Sequence, residues 1–398
     1  MKNIKFYIFF AIFIGILAII GYVKLQKNIN GSPSVSEDEK IEEQELVPEP
    51  VTSKASIAAV GDVLIHQSIY RDAQTGDSYD FDKMFTHVKP YLKAPDITLA
   101  NQESMIGGVE LGLSTYPQFN SPHEVGDALK RSGIDIVSIA NNHTLDRGEK
   151  AIMNALDHWD KIEMPYVGAY RSEDDQKTIR TIEKNGIIFS FLAYTYGTNG
   201  IPVPEGKPYL VNLIDEIKIK NEIREAKKLS DVVVVSLHFG NEYERMPNDQ
   251  QIQLAQLIAD AGAHILFGHH PHVLQPVDFL SSKEGHETFV AYSLGNFLAA
   301  QEAQHDYYRR IGGMIQVEVE KVEFEGDAAI RVHSPSFLAT YIHFQNWKNY
   351  RILPLYQVAD HELSNAREHY AETKKHMQQF VPYLQFIEDE NAVSASSD

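Results

Sequence analysis

The sequence predicts an α/β fold over residues 55–340, preceded by a membrane-spanning helix and an acidic linker. Short β-rich apolar runs separated by helical patterns begin at Ala55, and that alternation marks strands and helices packed in layers. Several runs are almost continuously apolar, as strands buried on both faces must be. The third observation concerns where the runs stop. Nearly every notable carboxylate, amide and imidazole falls just after one, the edge at which open α/β sheets bind ligands.

Taken in order, residues 1–5 form a short tail. Residues 6–23 (FYIFFAIFIGILAIIGYV) are apolar all round, with Lys2 and Lys5 before them and Lys24 and Lys27 after. That length just spans a bilayer, exceeds the usual apolar region of a cleaved signal and is followed by no small-x-small site. An uncleaved signal anchor is expected over a cleaved signal peptide. The near-balance of lysines votes only weakly for an internal N-terminus. Residues 24–54, rich in Ser, Pro, Glu and Asp, bury too little apolar area to offset their ordering entropy and are expected as a disordered acidic stalk.

Strands are expected at 56–60, 97–100, 134–140, 187–193, 232–237, 265–267 and 289–294. Helices are expected at 124–131, 149–159, 215–229 and 249–261. The alternating segments 314–320 and 329–333 read as half-solvated strands. Residues 341–398 are expected as a helical extension and tail, with an amphipathic helix at 362–379 packed on the domain or on an oligomer partner.

Composition sets the outer limits. A chain of 398 residues that is 43% hydrophobic has ample material for a core. Its formal net charge of −19 argues against nucleic acid as a partner and against docking on anionic lipid. With no cysteine, disulfides, thiolate metal sites and cysteine nucleophiles are excluded.

The polar residues at the run ends carry the chemistry. Asp62 follows the first run, Asn101 and Glu103 the second, and Asn141, Asn142 and His143 the third. His238 follows the run at 232–237, His269, His270 and His272 the next, and Asn296 the last. Any one of them reads equally as a turn residue or helix cap, but all of them together do not. Carboxylate, amide carbonyl and neutral imidazole make a mixed N/O site for one or two divalent ions, with Mn, Zn or Fe favoured over Mg or Ca. Glu103, with two oxygens, suits a bridging position. Pro271 disfavours a helical His270, so the segment around it is expected to be extended, with His270 and His272 on one side and His269 turned away or supporting from behind.

These residues resemble the ordered motifs of CapA-type capsule and poly-γ-glutamate synthesis proteins. The motifs are Gly61-Asp62, Asn101-x-Glu103, Asn141-Asn142-His143-x-x-Asp146-x-Gly148, His238-x-Gly240-x-Glu242, Gly268-His269-His270-Pro271-His272 and Ser293-Leu294-Gly295-Asn296-Phe297. That family is in turn similar to calcineurin-like metallophosphoesterases. The resemblance implies a metallophosphoesterase-like four-layer αββα sandwich with an N-terminal transmembrane helix. It also implies metal ligation by Asp62, Glu103, Asn142, His238, His270 and His272, with His143 as the catalytic histidine. The chain departs from the pattern in two ways. No Asp-x-His pair precedes the first motif, and Glu103 stands where a bridging Asp is usual, so one of the two metal positions is expected to be weak or missing. His66 is assigned to the substrate side or the surface, not to the missing ligand.

Flanking residues keep two readings each. Asp146 with Glu149 reads as an N-cap and capping box, or Asp146 orients His143 as part of the catalytic set. Asn101, Asn141, Glu242, Tyr243, His269 and Asn296 are candidate substrate contacts; Asn296 also reads as a turn residue, and a loop Glu242 as simply solvated. Three functions are weighed. The first is a single-pass, extracytoplasmic, metal-dependent hydrolase of the bacterial cell membrane, working with other capsule or polyglutamate synthesis subunits. The second is a non-catalytic accessory protein that holds polymer, and the third a metal-independent His/Asp proton-transfer enzyme of epimerase type.

Overall fold

The computed structural model describes residues 49–283, 285–301 and 306–389. The expected anchor at 6–23, the stalk up to residue 48 and the last part of the tail lie outside the described residues. Among the described residues no helix is long and apolar enough to cross a membrane.

In chain order the strands are β1 (Val51–Val63), β2 (Gln74–Thr75), β3 (Ser78–Tyr79), β4 (Ile97–Gln102), β5 (Ile136–Ser138), β6 (Tyr166–Val167), β7 (Arg180–Lys184), β8 (Ile187–Thr195) and β9 (Val232–His238). They continue as β10 (Ile265–His269), β11 (Leu274–Ser281), β12 (Glu287–Leu294), β13 (Asn296–Leu298), β14 (Ile311–Phe324), β15 (Asp327–Gln345), β16 (Lys348–Pro354) and β17 (Gln385–Phe386). One sheet runs β16-β15-β14-β1-β4-β5-β6, with β13 paired to β1 and β17 to β15; the other runs β11-β12-β10-β9-β8-β7. Both are mixed: β1 lies parallel to β4 and antiparallel to β14, while β12, β10, β9 and β8 are parallel and β11 and β7 are antiparallel edges.

Side-chain alternation explains how the sheets stack. Along β1, Ala55, Ile57 and Ala59 face a core shared with Phe189, Phe191, Val234, Phe267 and Ala291 of the second sheet, while Ala58 and Val60 face a helix-covered core. Along β9, Val232 and Val234 face the shared core, and Val233, Val235 and Leu237 pack on helices Glu216–Ala226 and Asp249–Ala261. Helices Glu124–Ser132 and Gly148–Lys161 cover the other outer face. Burial on both faces is why these strands read as unbroken apolar runs. The expected mixed α/β fold is therefore present, with helices outside two packed sheets.

Several boundaries differ from expectation. Residues 51–54, assigned to the stalk, pair with Lys321, Val322, Glu323 and Glu320 of β14, because the long hairpin of β14 and β15 offers them a partner strand. The sheet also continues past residue 340, where a helical extension was expected: β15 runs to Gln345 and β16 pairs with it from Thr340↔Pro354 to Gln345↔Lys348. The helix beyond it spans Ala366–Met377 and packs on this same molecule, burying Ala366 and Met377 in the shared core.

Close backbone contact at one end of the sandwich sets up the site. Asp62 N donates to Gly295 O at 2.8 Å, and a Cβ on Gly61 would lie 2.0 Å from that oxygen. A Cβ on Gly268 would lie 2.0 Å from Tyr292 O. Only glycine lets β1, β10 and β12 converge so tightly.

Candidate metal centre at the strand ends

The ends of β1, β4, β9 and β10 deliver Asp62, Glu103, His238, His270 and His272 to one buried cluster, each at most 4% exposed. Three groups within it bring one ligand atom from each residue within 4.8 Å of the others: Asp62, Glu103 and His272; Glu103, His238 and His270; and Glu242, His270 and His272. Glu103 Oε1 stands 3.6 Å from both His238 Nε2 and His272 Nε2. Asn142 joins the cluster by its Oδ1, 2.9 Å from His238 Nε2. All six residues expected as ligands thus stand at one place.

The histidine segment reaches it differently from expectation. β10 stops at His269, and His270 and His272 adopt φ of 98° and 59°, left-handed rather than extended. Such backbone costs about 1–3 kcal/mol per non-glycine residue, a strain that concentrates at functional sites. His270 N donates to Asp62 Oδ2 at 3.3 Å, and Tyr243 N donates to Pro271 O at 2.7 Å, which helps hold the turn. Of the two expected places for His269, the supporting one is where it stands: its Nδ1 lies 3.5 Å from Asp62 Oδ1, deep in the cluster.

The two carboxylates have opposite surroundings. Asp62 receives Asn101 Nδ2 at 2.8 Å on Oδ1 and His272 Nδ1 at 3.2 Å on Oδ2. Burial alone would raise its carboxyl, but the bonds from His269 and His272 outweigh that and hold it well below the usual range. Glu103 has no hydrogen-bond donor on either oxygen among the described residues, and burial pushes it well above the usual range. Burial works to lower His272 too, yet the Glu103 and Asp62 carboxylates lift it to about 9. Burial, with His272 beside it, drives His270 down to about 3, and burial with His270 beside it pushes His238 well down. Neutral imidazoles and a fully buried carboxylate without donors are what a divalent cation would satisfy. The residue types and spacing fit one.

Beside the cluster, His143 Nδ1 lies 2.7 Å from Asp146 Oδ2, which also accepts from Phe119 N at 2.7 Å. The geometry therefore assigns Asp146 to orienting His143. It does not cap the following helix: the N-cap of Gly148–Lys161 is Arg147, whose side chain makes no capping bond, and Glu149 pairs with Lys207 at 2.6 Å. Phe119 stands edge-on to the His143 ring, centroids 4.7 Å apart.

Other expected substrate contacts are committed elsewhere. Asn141 spends its amide on Gln102 O and His143 N, holding the loop. Asn296 places Oδ1 3.0 Å from His272 Nδ1 and donates to Arg309 O, so it steadies the His272 ring. Asn101 steadies Asp62. Glu242 is exposed and Tyr243 half-buried at the mouth. His66, which burial takes to about 4, sits edge-on to Phe119 with Nδ1 3.0 Å from Leu64 O. Two residues escaped the sequence reading. Tyr196 stacks over His238 and lies 4.7 Å from the His270 ring, and Asn199 Oδ1 accepts from Asn142 Nδ2 at 3.3 Å. Both lie just beyond β8, where the same strand-end rule would have found them.

A mixed α/β sandwich with a buried cluster of carboxylate, amide and imidazole groups at its strand ends, spaced so that it could hold a metal ion, defines the class of this protein. Comparison with known sequences narrows it. The profile described as "Bacterial capsule synthesis protein PGA_cap" matches residues 56–301, and the chain belongs to that family. It is 32% identical over 252 residues to the PGA biosynthesis protein CapA of Bacillus subtilis (strain 168), covering 62% of this chain and 63% of that protein. It is 31% identical over 258 residues to the capsule biosynthesis protein CapA of Bacillus anthracis, covering 62% and 60%. The chain thus spans less than two thirds of the length of either. A solved structure of a hypothetical protein from Thermus thermophilus aligns at a TM-score of 0.38 and 18% identity, covering 71% of this chain and 99% of that one.

Proposed function

We propose that this chain is a divalent-metal-dependent hydrolase of capsule-polymer biosynthesis or export. It is anchored in the bacterial membrane by residues 6–23 with its catalytic domain outside, and it acts beside other capsule or polyglutamate synthesis subunits on a phosphoester or related acyl or amide bond. One observation carries the reading: among the described residues neither oxygen of the buried Glu103 has a donor, and its Oε1 faces two imidazoles at 3.6 Å. The layering of helices outside two packed sheets and the expected metallophosphoesterase-like ligand order support it.

Asp62, Glu103, Asn142, His238, His270 and His272 would hold the metal, with Glu242 within reach beside His270 and His272. Bound metal supplies Lewis acidity and an activated water at neutral pH. The chain's own contribution is proton control. Asp146 holds the His143 proton at Nδ1, which leaves Nε2 to exchange a proton with the leaving group. Tyr196 and Tyr243 flank the mouth as apolar walls with polar tips.

The test is metal analysis of the full chain after reconstitution with Mn²⁺ or Zn²⁺, with Glu103→Ala and His270→Ala beside it, followed by a panel of phosphoesters and γ-glutamyl amides. Bound metal lost in both variants, with hydrolysis by the unaltered chain, is the expected result. No metal in any preparation sinks the reading. Polymer production in cells that survives His143→Ala transfers it to the accessory role.

A further inference from the structure

The family match ends at Gln301, yet two later elements reach back to the metal cluster. The turn Tyr307–Arg310 and the helix Ala366–Met377 grip the loop after β9 that carries Glu242. Their grip is reciprocal, each segment's tyrosine lying under the other's arginine. The Arg309 guanidinium sits 3.6 Å over the Tyr243 ring, and that of Arg245 sits 3.8 Å over Tyr308. Two such contacts between the same segments, each an arginine over an aromatic face, act as a clasp.

Glu372 closes it from the helix. It accepts from Arg245 Nη1 at 2.7 Å and from the Tyr308 hydroxyl at 2.9 and 3.0 Å. One turn on, His376 Nε2 meets Leu274 O at 3.0 Å and the ring also bonds the Arg245 backbone. On the other side, Arg309 O accepts from Asn296 Nδ2 at 2.8 Å, the same asparagine whose Oδ1 meets His272. Gln275 Nε2 ties down Glu244 O at 2.8 Å and Met246 O at 3.1 Å. An exposed loop glutamate is ordinarily solvated and mobile. Here the loop is held on several sides, and its carboxylate has an atom within 4.8 Å of nitrogens of His270 and His272.

We propose that the C-terminal helix is a positioning element of the metal centre. Through Glu372 it locks the Arg–Tyr clasp that presents Glu242 to His270 and His272, so metal affinity depends on residues beyond the family-defined region. The inference rests on the metal-binding reading above. Groups that orient metal ligands typically change affinity about 10–100-fold when removed, because the ligand must then be ordered on binding.

Mn²⁺ binding to the full chain, read by the electron paramagnetic resonance of free Mn²⁺, tests it, with folding followed by circular dichroism. Glu242→Ala and Glu372→Ala should each weaken binding about tenfold. The double variant should bind no worse than Glu242→Ala alone, since both act through one carboxylate. Glu372→Gln, which still accepts from Arg245 and Tyr308, should recover most of the affinity. Should Glu372→Ala fail to fold, Tyr308→Phe removes only the hydroxyl's bonds to Glu372 and should still cost about threefold. Wild-type Mn²⁺ affinity in folded Glu372→Ala or Tyr308→Phe, or losses that multiply in the double variant, overturns the inference and leaves the metal reading standing. A wild-type chain that takes up neither Mn²⁺ nor Zn²⁺ overturns both.

Discussion

Asp62 and Glu103 are both fully buried, yet Asp62 is held low and Glu103 is driven up. The difference is the donors each receives: Asp62 has them, and Glu103 has none among the described residues. His272, raised to about 9, carries a proton that a metal ion must displace, because only neutral imidazole ligates. Affinity for Mn²⁺ or Zn²⁺ should therefore climb with pH up to about 9, by about tenfold or more per pH unit, with proton release on binding. Calorimetry in buffers of different ionisation enthalpy reads that release. The same group acts oppositely on the metal-free fold. Its folded pKa lies above the unfolded 6.5, so its stabilisation is full below that value and is lost as pH rises through about 9. For His143, held at 2.7 Å by Asp146, His143→Ala should cost about 10²–10⁴-fold in turnover with metal content unchanged. Asp146→Asn should cost less. Metal content that falls with His143→Ala would make it a ligand instead.

At the scale of the element, strand periodicity was legible and turn geometry was not. The apolar runs that became β4, β8, β9, β10 and β12 stood out because each is buried on both faces. Edge strands β7, β11 and β16 carry one solvated or short face and left a fainter pattern. The left-handed backbone of His270 and His272 had no local signal, since Pro271 by itself favours an extended neighbour. What was visible were the glycines. Gly61→Ala and Gly268→Ala each force a Cβ to 2.0 Å from a backbone oxygen, and rigid strands can relieve that only by separating. Each should destabilise the chain by about 3 kcal/mol or more, seen as a fall in Tm of several degrees and a loss of bound metal. Gly76→Ala, with open space around it but a φ of 60°, should cost about 1 kcal/mol and leave metal binding intact.

For the whole molecule, the chain beyond the family match belongs to the fold. β14 and β15 pair along nearly their full length, and Leu363, Met377, Val381 and Leu384 lie in the core between the sheets. Each such side chain contributes about 1.5–3 kcal/mol when buried, so losing these four approaches the whole stability of an ordinary domain, about 5–15 kcal/mol. Truncation after residue 340, at the boundary that the sequence pattern suggested, should yield a chain that is protease-sensitive and lacks a cooperative thermal transition. A folded, metal-binding product would show that the C-terminal segment is only an accessory.

Residue types and their positions at the ends of apolar runs determined the class of fold, the family and the candidate ligand set, because burial on two faces and metal chemistry both leave marks that are local in sequence. Everything that depends on contact between distant segments was decided by the tertiary structure. Asp146 holds the Phe119 amide as well as His143 instead of capping a helix, Asn296 steadies His272, and His269 faces Asp62. A short polar side chain after a strand has the same local pattern in every one of these roles. Which role it takes is set by the segment that arrives beside it from 24 to more than 200 residues away.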